Sequence, residues 1–186
     1  MVAALLGLIC VATSGAVLVV LHFLPTGLDP IRYAVSDYGW TAYHLGYRDG
    51  PAPGRRGDPH RGRAGSGDRR ASARLALVYG VVRVLIAGFM TDREPEGMSS
   101  LTRTGRIHML LAGTAFASIA VAASHLDWTG KPDVLGPLGW LVTATAIATG
   151  AALVVTPIRR VALGLIERAH YAAAIVWLIA VAASVV

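Results

Sequence analysis

Residues Val2–Leu24 read VAALLGLICVATSGAVLVVLHFL. No Asp, Glu, Lys or Arg interrupts them. The hydrocarbon core of a bilayer is about 30 Å thick and needs about 20 mostly apolar helical residues to cross it. This stretch meets that requirement unaided. Four more apolar stretches follow at Leu75–Met90, Ile107–Ala123, Pro137–Val155 and Ala169–Val186. They are shorter, and flanking interfacial residues complete them to full spans. Hydrophobic residues make up 54% of the chain and the mean hydropathy is +0.56, above what a soluble domain carries. The reading is an all-α integral membrane helix bundle with five recognisable transmembrane helices, a multi-pass protein of the cell (plasma) membrane.

A chain of 186 residues holds one transmembrane domain, residues 1–186, and its polar stretches are too poor in apolar residues to build a soluble one. The first span follows Met1 without a basic region, and it exceeds the apolar core of about 7–15 residues in a signal peptide, so it reads as a retained span. Cys10 stands alone, which excludes an intramolecular disulfide and a zinc cluster of Cys ligands. The net charge is +6 and the pI about 10.1. In a membrane protein such a balance belongs to loops facing anionic lipid. The partner implied is the bilayer, not nucleic acid, because no aromatic residue is interleaved with the basic run to stack on bases.

Residues Arg48–Arg74 read RDGPAPGRRGDPHRGRAGSGDRRASAR and contain no Leu, Ile, Val, Phe, Met or aromatic residue. Nothing periodic there predicts packed structure. Two readings fit. In one, 48–74 is a basic loop lying on anionic headgroups. In the other it is an out-of-frame product of GC-rich coding DNA, and a sixth span of the parent fold once occupied roughly 41–65. Topology separates them. Five spans put Ser36 and Asp37 across the membrane from Asp92 and His108; six put them on the same side, together with Arg32, Arg93, Arg103, Arg106, Arg159, Arg160 and Arg168.

The polar residues at span ends are the candidate site. Pro25 and Gly27 stop the first helix, and Asp29-Pro30 marks a turn or a new helix start. Ser36, Asp37 and Tyr38 follow, flanked by Tyr33, Trp40, Tyr43 and Tyr47 in the manner of an interfacial belt. Ser36 and Asp37 either belong to that anchor or line a polar pocket. Asp92 closes one span and His108 opens the next. That pair is suited to a hydrogen bond, an acid–base pair or a structural clamp. One His and one Asp are too few ligands for a zinc site, so no metal or other cofactor is assigned. Arg83 lies mid-span and requires a bundle interior and an acid, with Glu167 the first candidate and Asp37 the second. Glu167, Arg168 and His170 open the last span, where Glu167 suits the helix dipole. Gly113, Ala117, Ala120, Gly150 and Ala172–Ala174 permit close helix contact, and Trp128 and Trp140 read as interface anchors.

These residues occur in an order that is itself informative. A Pro–Asp turn, Asp29-Pro30, leads to Ser36-Asp37-Tyr38. An aromatic-x-T-D stop follows at Phe89–Asp92, then a G-x-I-H start at Gly105–His108 and a G-x-x-E-R approach at Gly164–Arg168. The order resembles the prokaryotic multipass membrane family known as domain of unknown function 998. The resemblance implies a six-helix bundle lacking its second helix here, and it implies no reaction. With six helices in the parent, Ser36, Asp37, Asp92, His108, Glu167 and Arg168 gather at one membrane face. Two functions compete for that cluster. One is a non-enzymatic protein that binds or passes a small molecule or lipid, or senses the membrane. The other is an intramembrane lipid hydrolase or transferase with Asp92 and His108 as acid–base or metal groups and Ser36 in support.

Overall fold

The computed structural model describes residues 16, 19, 20, 23–42, 66–86, 88–92, 101–125 and 133–184. The expected first span therefore lies almost wholly outside the described residues, as do the 48–65 part of the Arg-rich segment, Trp128 and Lys131. Among the described residues every regular element is helical: a 3-10 helix Val35–Trp40, then α1 (Ser66–Ile86), α2 (Arg103–His125), α3 (Leu135–Val154) and α4 (Thr156–Ala183).

The chain is an all-α membrane helix bundle. Among the described residues three segments are long and apolar enough to cross a membrane: Arg103–His125, Leu135–Val154 and Val161–Ala183. The expected span Leu75–Met90 is different. Its helix begins at Ser66, within the Arg-rich segment, and ends at Ile86, so its apolar part, Leu77–Ile86, is short. Arg and Ala form helix well without any apolar face to announce it. Gly88 and Phe89 then turn the chain by bonds back to Leu85 and Ile86.

The last helix also departs from expectation. It opens at Thr156, not near Glu167, with Pro157 in its first turn. Proline costs nothing there, because the first helical N–H groups have no intrahelical acceptor. Glu167, Arg168 and His170 thus lie in the helix interior, and the dipole argument for Glu167 does not apply. Only Val155, in an extended conformation with ψ 98°, separates α3 from α4.

Neighbours in sequence are neighbours in space, and α3 packs along α4, α1 along α2, and α2 along α3. Each pair is antiparallel. The α1–α2 turn is closed by Asp92 on Thr102. At the other end Thr143 reaches the Ala120 carbonyl (3.2 Å) and Gly139 lies against Ala123. The core there is Ile119, Ala122, Ala123, Val142, Ala173, Ala174 and Trp177. Small residues let these backbones approach, as van der Waals packing between membrane helices requires. A β-carbon at Gly139 would stand 2.6 Å from the Ala123 carbonyl oxygen. Gly113 and Gly150 face open space instead, so the close contacts expected at those two positions are not made among the described residues.

Candidate functional site

The polar residues converge at the end of the bundle where α1 finishes, α2 starts and α4 starts. Residues 24–41 are docked there. Gly27 takes φ +72°, open to it without a β-carbon. The Asp29 carboxylate then accepts the Ile31 N–H (2.9 Å) while its carbonyl accepts the Tyr33 N–H (2.9 Å). This is the turn the Asp-Pro pair foretold. It rests directly on α4 backbone: the Leu165 N–H donates to the Ile31 carbonyl at 3.0 Å. Gly164 makes the approach possible, because a β-carbon there would collide with the Tyr33 and Pro30 carbonyl oxygens.

Arg168 binds what the turn leaves over. Its Nη1 donates to the carbonyls of Pro30 (2.6 Å), Tyr33 (2.9 Å) and Gly164 (2.9 Å), and its Nη2 to the Tyr38 hydroxyl (3.0 Å). The guanidinium carbon lies 5.5 Å from the Tyr38 ring centroid. A planar fork of donors suits such a cluster of carbonyls, which a lysine point charge would not span. Tyr38 is consequently buried, and the interfacial-belt reading fails for it. Trp40, by contrast, is 46% exposed, with its indole N–H bonded to the Thr91 carbonyl at 2.9 Å.

Glu167 is 6% exposed and caps the 3-10 helix from outside: its Oε2 accepts the Val35 N–H at 2.7 Å. Asp37 accepts the preceding N–H, that of Ala34, at 2.9 Å. The other Glu167 oxygen accepts the Tyr171 hydroxyl (3.3 Å), which in turn accepts from Arg83 Nη1 (2.8 Å). Arg83 also lies over the Tyr171 ring, 4.7 Å from its centroid. Arg83 is thus connected to its first expected acid through a tyrosine. Tyr171 was not legible as a site residue, although its place four residues after Glu167 puts both on one helix face.

Asp92 and His108 share this end but do not bond to each other. Asp92 holds Thr102 at both its N–H (2.7 Å) and its hydroxyl (2.6 Å), and Thr102 Oγ1 accepts the Gly105 N–H (3.1 Å). That is an N-cap on α2 reinforced by a carboxylate. Gly105 is needed because a β-carbon would strike the Asp92 carboxylate. His108 Nδ1 donates to the Phe89 carbonyl at 2.7 Å, which fixes that nitrogen as the protonated one. Ser36 sits half-buried on the 3-10 helix. No group of three or more His, Cys, Asp or Glu suited to a metal occurs among the described residues.

His170 was expected at a span end and is instead mid-helix and fully buried. Its Nδ1 lies 3.2 Å from the Thr145 hydroxyl and its ring meets Phe116 edge-on, centroids 4.7 Å apart. Its Nε2 has no hydrogen-bond partner among the described residues.

Residues 59–184 match the family described as Protein of unknown function (DUF998). The chain belongs to this family. The DUF998 match contains Phe89–Asp92, Gly105–His108 and Gly164–Arg168, hence the α1–α2 clamp and Glu167 and Arg168 of α4. It starts after the docked segment, so Asp29-Pro30 and Ser36–Tyr38 lie outside it. No curated protein and no solved structure matches the chain.

Proposed function

We propose that this DUF998 protein is a multi-pass protein of the plasma membrane, with more than the three long spans, that binds or passes a small molecule or lipid without chemically changing it. The observation that supports this is the Arg83–Tyr171–Glu167 chain. It runs from the interior of a membrane bundle to its polar end, and ionisable groups so placed are costly unless they serve a ligand or a path. Arg168 holds the docked segment beside that chain, with Asp37 and the half-buried Ser36 on its 3-10 helix. The Arg-rich stretch 48–74 meets anionic headgroups in this reading. A lipid hydrolase or transferase built on Asp92 and His108 has weaker support, because each side chain is engaged across the α1–α2 connection, Asp92 with Thr102 and His108 with Phe89, and no bond joins the two.

The test is identification of what co-purifies. Lipids and small molecules extracted from the purified chain are compared by mass spectrometry with those from Arg83→Leu and Glu167→Gln, each checked for helix content. A compound retained near one per chain and lost from both variants is the expected result. A profile unchanged in both variants overturns the proposal. So does turnover of a labelled phospholipid that His108→Ala abolishes, which would restore the enzyme.

A further inference from the structure

We propose that Trp40, Arg103 and Arg106 form an interfacial site for the headgroup of an anionic phospholipid. The argument begins with depth. The span Arg103–His125 has 23 residues. At about 1.5 Å per residue such a helix slightly exceeds a hydrocarbon core of about 30 Å. Its first turn therefore emerges among the headgroups. Arg103 and Arg106 are both in that turn, three residues apart and so on neighbouring positions of the helix surface. Both are exposed. Among the described residues Arg106 commits only its Nε, to the Leu101 carbonyl at 3.1 Å, and its terminal nitrogens make no bond there. Arg103 makes no hydrogen bond or ion pair among the described residues. Asp92 directs both of its oxygens to Thr102 and forms no ion pair with either arginine.

Trp40 reaches the same level from a different part of the chain. Its indole N–H is fixed on the Thr91 carbonyl, beside the Asp92 that clamps the start of α2, while much of its ring stays exposed. A tryptophan with one bonded polar edge and one free apolar face is suited to the zone between headgroup and acyl chain. Two guanidinium groups beside it supply bidentate donors for phosphate. Arg32 is at this end too, but Asp29 faces it at 3.6 Å and claims its charge. The surface thus sets an aromatic anchor near two exposed arginines that form no ion pair among the described residues, and its position at the end of membrane helices makes the leaflet its natural occupant. The site is separate from the Glu167–Tyr171–Arg83 cluster and stands whether or not that cluster binds a ligand.

The full chain is reconstituted in nanodiscs of phosphatidylglycerol and phosphatidylcholine in equal parts, released, and its retained lipids counted by native mass spectrometry. Preferential retention of phosphatidylglycerol is expected. Each arginine at a charged surface is worth about a fivefold preference, so Arg103→Gln with Arg106→Gln loses on the order of 30-fold. Arg32→Gln, already paired, leaves the preference in place. Circular dichroism confirms that the variants keep their helix content, as exposed positions should. Absence of any phosphatidylglycerol preference in the parent chain overturns the proposal, as does a double variant that retains it.

Discussion

The two ends of this bundle are held together by different physics. Around Ile119, Ala123, Val142, Ala174 and Trp177, helices meet through small apolar side chains, and specificity comes from shape. At the other end, residues 24–41 are held on α4 by Glu167 and Arg168, whose partners are mostly backbone N–H and carbonyl groups. Lipid offers no hydrophobic drive to bring one helix to another, so the first end depends on packing. The second depends on hydrogen bonds that water cannot readily replace once they are buried. One glycine serves each end, Gly139 between helices and Gly164 beneath the docked turn. The lesson is that a docked segment of irregular chain at a membrane bundle's end needs both a side chain that gathers its carbonyls and a bare backbone to rest on.

The largest effect that would break this contrast is at Glu167. Glu167→Ala removes the buried carboxylate that accepts from both the Val35 N–H and the Tyr171 hydroxyl and so breaks the link to Arg83. A loss of about 3–5 kcal/mol is expected in unfolding by denaturant in detergent. Glu167→Gln keeps an acceptor and should lose clearly less. Equal losses would show that the hub depends on the carboxylate's charge and not on shape or a single acceptor oxygen.

Next come the two glycines. Gly164→Ala and Gly139→Ala should each cost about 1–3 kcal/mol, since the atoms met are backbone oxygens that cannot rotate away. They should differ in kind. Gly164→Ala is expected to expose the 3-10 helix to protease while α3 and α4 stay protected, whereas Gly139→Ala should loosen the helices themselves. Gly113→Ala and Gly150→Ala face open space and should be neutral or mildly stabilising.

A smaller loss, about 1 kcal/mol, is expected for Thr102→Ala, which removes the α2 cap. Thermal unfolding would register it. Smallest is His170→Leu: it gives up the Thr145 bond but also deletes a buried nitrogen without a partner among the described residues, and the two effects should largely offset each other. A large destabilisation there would mean that Nε2 has an occupant.

The membrane class and the approximate positions of α2, α3 and α4 were legible because apolar length alone specifies them. The ends were not. Arg159, Arg160, Glu167 and Arg168 lower the hydropathy of the first turns of α4 and disguise a helix as a loop. Ser66–Arg74 is helical without an apolar residue larger than alanine to reveal it. At the candidate site, the residue types were legible and their pairings were not. Arg168 and Glu167 bind backbone groups, which leave no mark in a sequence, and Tyr38 reads as an anchor until the carbonyls beside it are seen. Asp92 and His108 stand at adjacent helix ends as expected, yet their bonds go to Thr102 and Phe89.

The most direct test of the docked end is site-resolved amide hydrogen exchange at Val35, in the parent chain and in Glu167→Ala. Val35 N–H is expected to be protected in the parent and to lose that protection in the variant, while amides of α3 keep theirs. A Val35 amide that exchanges freely in the parent, or stays protected without the Glu167 carboxyl group, would contradict the docking of residues 24–41 on α4.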